Sequence, residues 1–504
     1  MTVVFALIGL ALAATLALGL GAWRQRRHQP VSFFDYAVAG GGARWGTVLA
    51  SVLAAETSAA TLLGVPAEGL ALGTYHHLQI LAGMVLGRVV VAVTFLPHLH
   101  RRGVVSIYGL LGSRFGPRTQ RLGAATFLVT RLLSTGTRVY VGAIVLAVAV
   151  ELAQGGRLAP APKLGLYVLA ALVLCGFTAL YTSLGGMRAV LWTDTLQTGI
   201  MLTAVGGCLI FLLQTVGWAP LMAAPLLDWG WGENAGTLAT WRHIRLSPYT
   251  VWSGLIGTLF TTLATHGVDQ DAMQRLLAAP DLRRARRALV LSGLCEIPIL
   301  TALASIGILL RAHLGSAGAV LRPGNEIFAH FILTALPPGL CALMLTAVMT
   351  TTMGSLSAAL NALATSYTQD WRRTRADDQA AVAVARRATW GMAAILATIA
   401  SATAALVLLQ PELRIIPLVM GVLGWTYGPL LAIFLHAMFG PGGTDRSSSR
   451  ALVGGIAASC LLQNFFPVTF CWRVLVGTAI TGLLATCLAQ LELPTSAQAG
   501  GEPG

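Results

Sequence analysis

Charge is what this sequence has least of. Only 10% of its 504 residues are Asp, Glu, Lys or Arg, against about 25% in soluble domains. A water-soluble chain of this length would form several domains with polar surfaces, and there is too little polar material to cover them. With 56% hydrophobic residues, disorder, a collagen-like chain and a small disulfide scaffold are excluded too. Lysine is almost missing: Lys163 is the only one among 33 basic residues. The net charge of +14 is therefore arginine charge. It sits in short clusters between apolar runs and not on one basic domain, which argues against a nucleic-acid partner. The seven cysteines have no metal-ligand spacing and suggest no disulfide framework.

What is abundant is apolar sequence, and the chain reads as an all-α polytopic membrane protein. A helix crossing the hydrocarbon needs about 20 mostly apolar residues. Thirteen stretches meet that measure, over approximately 3–22, 45–65, 75–97, 122–150, 164–182, 189–215, 249–268, 288–310, 338–368, 388–409, 413–437, 451–466 and 473–490. The first is expected to be no signal peptide, because Arg24, Arg26 and Arg27 follow the apolar run and none precedes it. A retained helix with its N-terminus outside is expected.

Arginine placement tests that orientation. Alternate loops, cytoplasmic if the N-terminus is outside, hold 22 basic residues: Arg24, 26, 27, 44, 101, 102, 114, 118, 121, 188, 275, 283, 284, 286, 287, 372, 373, 375, 386, 387, 446 and 450. The opposite loops hold 8: Arg157, Lys163 and Arg242, 245, 311, 322, 414 and 473. Arg88, Arg131 and Arg138 fall inside spans. The bias predicts an N-terminus outside and a C-terminus in the cytoplasm. Beyond Leu493 the tail is short and polar, with no kinase or nucleotide-binding domain expected. Trp218, Trp229, Trp231 and Trp241 in the 216–248 loop read as an interfacial aromatic belt.

Setting the first stretch aside, the next ten divide into two groups of five, 45–215 and 249–437, followed by two trailing helices over 451–490. A shift by five crossings reverses direction, so the groups would be inverted repeats whose first helices break near the midplane. The first group opens with Ala54-Ala55-Glu56-Thr57-Ser58-Ala59-Ala60-Thr61 followed by Gly64 and Pro66: small residues, one acid and helix breakers. Its counterpart carries Gly254 and Gly257 beside Thr258, Thr261, Thr262 and Thr265.

Four segments then carry a resemblance. TSLGGMRAVLWTDTLQ (Thr182 to Gln197) resembles the signature segment of the sodium/solute symporter family, whose members carry sugars, proline, iodide, monocarboxylates, vitamins and sialic acid. ASVLAAETSAATLLGVPAEG (Ala50 to Gly69), THGVDQDAMQRLLAAPDLRRAR (Thr265 to Arg286) and SLSAALNALATSYTQD (Ser355 to Asp370) agree in order and spacing. The GVPAE string is similar to the branch with iodide and monocarboxylate carriers. The resemblance implies a LeuT-like fold of ten core helices in two inverted five-helix repeats, with one helix before and two after.

It also implies Na⁺ as coupling ion. A desolvated Na⁺ needs hard oxygen donors, which unwound carbonyls and hydroxyls supply without adding net charge. By resemblance these fall on Ala54 and Thr57 of the first core helix and on Thr351, Gly354 and Ser355 of the eighth. The last three stand at i, i+3 and i+4, one helical face. Gly354 departs from the family's two adjacent hydroxyl residues and loses one side-chain oxygen, for which Thr350, Thr351 or Thr352 is a candidate substitute. The alternative is that these small residues only pack helices. Glu56, an acid inside an apolar span, marks a functional site by default; it either tunes the field near Na⁺, titrates with a proton or pairs with an intramembrane arginine. Glu296 is a second such acid. Asp194, near a helix start, reads as structural or gating.

Arg131 and Arg138 are seven residues apart and share one face of the third core helix, close to Ser134, Thr135 and Tyr140; the resemblance implies that this helix lines the substrate cavity. A buried guanidinium holds a carboxylate by two parallel hydrogen bonds, so Arg138 is the candidate anchor of a small organic anion. Ser134 is a further candidate for the cavity, while Arg131 and Arg88 read as structural. Thr61 matches the position where a sugar-transporting relative presents a polar side chain to its ligand. His76 and His77 read as interfacial or gate residues.

The leading reading is thus a sodium-driven symporter of a small solute, working by alternating access in the lipid bilayer of a plasma (inner) membrane. Gly354 and Glu56 keep open a carrier of the same fold that uses protons or no ion. A membrane sensor that binds solute without moving it is the reading of a different class. No HExxH, GxSxG or paired-carboxylate arrangement suggests an enzyme.

Overall fold

A computed structural model describes residues 2–25, 31–101, 103–231, 236–315, 324–372, 379–410 and 415–492. Among the described residues the regular elements are helices throughout. Seven are long and apolar enough to cross a membrane, or eight if one bent pair counts as a single crossing. Of the arginines used to orient the chain, Arg26, Arg27, Arg102, Arg322, Arg373, Arg375 and Arg414 lie outside the described residues, as does the tail beyond Glu492.

The main helices run α1 (Thr2–Arg24), α2 (Trp45–Glu56), α3 (Ala59–Leu72), α4 (Ile80–Val93), α5 (Pro117–Ala153), α6 (Pro160–Val216), α7 (Thr258–Gly267), α8 (Gln270–Leu277), α9 (Leu282–Leu314), α10 (Gly324–Thr334), α11 (Pro338–Ser366), α12 (Gln379–Leu409), α13 (Ile415–Phe439), α14 (Asp445–Phe465) and α15 (Phe470–Leu491). Straight, the 57 residues of α6 would extend about 85 Å, far beyond a hydrocarbon layer of about 30 Å. The helix turns at Gly186, where φ is 57° and ψ −150°. A Cβ there would also meet the Tyr36 carbonyl at 2.5 Å, so conformation and space both require glycine. This separates the stretches 164–182 and 189–215 that the sequence reads as two crossings.

Two interruptions matter for function. Between α2 and α3 the chain bends by 56° at Thr57 (φ −84°, ψ 65°) and Ser58 (φ −74°, ψ 172°). Pro66 lies inside α3 and does not make the break. Between α7 and α8 the helix stops at Val268, and Asp269 caps α8 by accepting the Asp271 N–H at 2.7 Å. Gly254 and Gly257, the glycines that the sequence shows in the counterpart helix, do not form this break: they lie in a π-helical turn, Ser253–Gly257. There glycine serves close packing, since a Cβ on Gly254 would stand 2.5 Å from the Gln79 carbonyl oxygen.

Around these breaks α3 packs on α9, α4 on α7, and α2 between α6 and α11, while α12 packs on α6 and α13 on α15. At the start of α5 the Asp445 carboxylate accepts the backbone N–H groups of Arg118 at 3.0 Å and Thr119 at 2.7 Å. Partial burial opposes its charge, but those N–H groups outweigh it and hold the carboxyl below its ordinary range. All seven cysteines are free.

Candidate functional site

Both interruptions open onto one cavity of about 230 Å³. The first break contributes Glu56, Ser58 and Thr61, and the second His266, Asp271 and Arg275. Arg88 enters from α4, Arg131 and Arg138 from α5, Glu296 from α9 and Tyr427 from α13. Val52, Ala60, Val65, Met84 and Leu300 supply apolar wall. His77, buried and set edge-on to Tyr249 with ring centroids 5.0 Å apart, also reaches it.

Burying this much charge demands pairing, and three of the four arginines are paired. Arg88 is fully buried; its Nη2 donates to Glu56 and, at 3.1 Å, to Glu296. Gly293 makes room, since a Cβ there would lie 2.9 Å from Arg88 Nη1. His266 Nε2 meets the other oxygen of Glu56, while its Nδ1 lies 3.0 Å from the Thr265 hydroxyl. Arg131 bridges Asp269, at 3.1 Å, and Asp271, and the Tyr427 hydroxyl donates to Asp269. Arg275 stands 2.8 Å from Asp271 and 3.8 Å from Asp194, and its Nε donates to Ser51 at 3.0 Å. Arg138 differs. It lines the cavity, half-buried, and has no hydrogen bond or ion pair among the described residues.

Behind the first break, at the junction of α2, α6 and α11, several buried polar atoms lack partners among the described residues. They are Thr57 Oγ1, Asp194 Oδ1 and both polar atoms of the Gln197 amide. Among the described residues the break also leaves the Ala54 and Thr57 carbonyls without a backbone donor, whereas the Glu56 carbonyl accepts from Thr61 at 2.9 Å. On α11 the Thr351 hydroxyl donates to the Ala347 carbonyl at 2.7 Å and Ser355 to that of Thr352 at 3.0 Å; both oxygens keep lone pairs free to accept a cation. The space of a side chain at Gly354 is taken by Gln197, whose Oε1 a Cβ would strike, with Asp194 Oδ1 3.3 Å away. The hydroxyls of Thr350 and Thr352 are bonded to carbonyls of their own helix, so Gln197 brings the oxygen nearest to the missing one. These unsatisfied hard oxygen donors fit a small alkali cation.

The structure therefore brings Glu56, Thr61 and Arg138 to one cavity. Ser134 is outside it, buried and donating to the Arg131 carbonyl at 3.3 Å. Ala54, Thr57, Thr351, Gly354 and Ser355 are all buried on the α2 and α11 side. Asp269, Asp271, His266, Arg275, Tyr427 and Gln197 were not singled out in the sequence. An Asp271–Arg275 pair at i, i+4 is readable there; the contacts across helices are not.

Comparison with known proteins bears on the family and the fold. The sequence profile of the sodium:solute symporter family matches residues 36–458. The chain belongs to the sodium:solute symporter family. It is 26% identical over 439 residues to sodium-coupled monocarboxylate transporter 2 of Bos taurus, covering 84% of this chain and 66% of that protein. It is 26% identical over 467 residues to the sodium/iodide cotransporter of Homo sapiens, covering 89% and 68%. The chain thus spans about two thirds of the length of these relatives. The solved structure of a Na⁺-coupled sialic acid symporter in a substrate-bound, outward-open state superposes with a TM-score of 0.77 at 18% identity, covering 97% of this chain and 98% of that one. A nucleobase-cation-symport-1 family transporter in a closed conformation gives 0.56 at 13% identity, covering 92% and 95%. The family and the LeuT-like helical membrane fold expected from the four sequence segments are both met.

Proposed function

We propose that this family member is a sodium-coupled symporter that moves a small organic anion across a cell membrane by alternating access. The reading is carried by one observation: Arg138 is the cavity arginine left without an acid among the described residues. A guanidinium at a partly open cavity with apolar walls suits a short-chain carboxylate, whose head it grips and whose tail the walls bury. Thr61 lies in the same wall as a second polar contact. Two relatives are, by name, a monocarboxylate transporter and an iodide cotransporter, and both names denote anions.

Na⁺ in this proposal is cargo, held by the carbonyls of Ala54 and Thr57, the hydroxyls of Thr351 and Ser355, and the Gln197 oxygen that stands in for a side chain at Gly354. Binding there would hold the bent first helix in the shape that presents Glu56 and Thr61 to the cavity. Affinity for cation and solute would then rise together, reciprocally. Repeats over 45–215 and 249–437 with the N-terminus outside belong to the same proposal, as does residence in a plasma (inner) membrane.

Uptake into proteoliposomes tests it. A panel of radiolabelled small carboxylates, with sugars and amino acids beside them, is offered under an inward Na⁺ gradient and under K⁺ alone. Accumulation of a carboxylate under Na⁺ only is expected. Equal uptake in K⁺, or binding without accumulation, would overturn the proposal in favour of an ion-independent carrier or a sensor.

A further inference from the structure

We infer that a second cavity, remote from the one assigned to solute, binds the headgroup of an anionic phospholipid. It measures about 590 Å³ and lies where the end of α1, the turn of α6 at Gly186 and the start of α12 meet. Both α1 and α12 pack on α6, and the cavity lies between them. Trp23 comes from α1, Arg188 from α6, and Arg386 and Arg387 from α12. The short helix Phe33–Val38 adds Asp35 and Tyr36. The Tyr36 hydroxyl donates to the Ser183 carbonyl at 3.2 Å, which seats that helix against α6 just before its turn. None of these residues has a part in the transport scheme above.

Among the described lining residues three arginines stand against one carboxylate. Asp35 already accepts from the Ser32 hydroxyl at 3.2 Å. Even paired in full with one arginine, it would leave two positive charges. Arg386 donates from Nη2 to the Leu184 carbonyl at 3.5 Å, the long limit of a hydrogen bond, and its Nε reaches no acceptor among the described residues. Arg387 is exposed and has no hydrogen bond or ion pair among them. Most of the N–H groups on these two side chains are therefore unengaged, and phosphate oxygens match their fork geometry.

What surrounds the cavity selects a lipid over a soluble anion. Ala22, Leu184 and Arg386 each stand four residues from an exposed apolar side chain on the same helix: Leu18, Leu180 and Trp390. Residues i and i+4 share a helical face, and each of the three lies about 6 Å further into its apolar span. The cavity wall thus continues into the surface that acyl tails cover. Trp23 stands at the rim, where an aromatic ring suits the interface. Basic pockets between membrane helices take acidic headgroups in this way. Occupation would tie α1, α6 and α12 together at one end, whichever ion or solute the protein carries.

Thermal unfolding of the detergent-purified protein tests this, because a ligand of the folded state raises the midpoint. Phosphatidylglycerol added to the micelles should raise it, and phosphatidylcholine, without net charge, should not. Inorganic phosphate and glycerol phosphate at the same concentration should do little. A rise as large as the lipid's would overturn the lipid assignment in favour of a soluble anion. Arg386→Gln and Arg387→Gln should each weaken the apparent affinity for phosphatidylglycerol about fivefold. Arg283→Gln, which removes an exposed charge at the start of α9, should leave it unchanged. Ala383→Trp fills the cavity and keeps every charge; it should abolish the rise, and it serves if the arginine variants do not fold. An undiminished rise in Ala383→Trp, or an equal loss in Arg283→Gln, would overturn the inference, since diffuse loop charge would then hold the lipid.

Discussion

Gln197 occupies the place that a side chain at Gly354 would fill. The amide comes from α6 and the glycine from α11, and a Cβ added to Gly354 would meet Gln197 Oε1 before any other atom. The loss of a hydroxyl on one helix is thus matched by an oxygen arriving from another.

That pairing is testable by a double-mutant cycle. Gly354→Ser alone should diminish the extra thermal stability that NaCl confers over KCl, because the new side chain displaces the Gln197 amide. Adding Gln197→Ala frees the space, and the pair should recover part of the loss, with a coupling above about 0.5 kcal/mol. Strictly additive losses would show that the two positions do not share a site.

Arg138→Ala should raise KM for the transported carboxylate about ten- to a hundredfold, the worth of about 1.5–3 kcal/mol for hydrogen bonds to a charged group. Arg138→Lys should fall between, since an ammonium keeps the charge and loses the two-pronged geometry. Concentration dependence of uptake decides it; an unchanged KM in the alanine variant removes Arg138 from the binding site.

Arg131 is expected to act on stability first. Its truncation leaves Asp269 and Asp271, both almost wholly buried, short of a cation, and breaking such a pair costs about 3–5 kcal/mol. Arg131→Ala should lower the melting temperature strongly, and Asp269→Asn added to it should restore part of the drop. A variant as stable as wild type would mean that water reaches these carboxylates.

Close backbone contact between α3 and α9 makes a fourth case. A Cβ at Gly307 would run into the Pro66 carbonyl and stand 2.9 Å from both Gly69 Cα and Leu70 N. Backbone atoms cannot turn aside, so Gly307→Ala should cost about 1–3 kcal/mol. Gly206→Ala, with nothing within 4 Å of its added carbon, should leave the thermal midpoint unchanged or raised. Equal midpoints for the two variants would show that α3 and α9 are further apart.

Much of the fold was legible because membrane helices announce themselves by apolar length. Among the described residues helices cover most of each stretch read from hydropathy, and Gly186 separates two of them where the sequence left a gap. The first broken helix was legible too, through Glu56 among small residues. The second was not placed by the sequence, whose glycines in that helix, Gly254 and Gly257, lie eleven residues or more before the interruption. Their smallness serves close contact, of Gly254 with the start of α4 and of Gly257 with Cys471 of α15, and the interruption at Val268 and Asp269 is made by a side-chain cap, which composition does not distinguish from a surface acid.

Sequence by itself determined the solvent, the helical class and the family, since these follow from local composition and from short segments that are contiguous in the chain. It also placed Arg88, Arg131 and Arg138 inside apolar spans. Which of the three would remain unpaired was decided only by tertiary structure. Glu56 and Glu296 reach Arg88 across 32 and 208 residues of chain, and Asp269 reaches Arg131 across 138. Electrostatic compensation depends on distance in space, and in a bundle of helices that distance is set by packing of residues far apart in the chain.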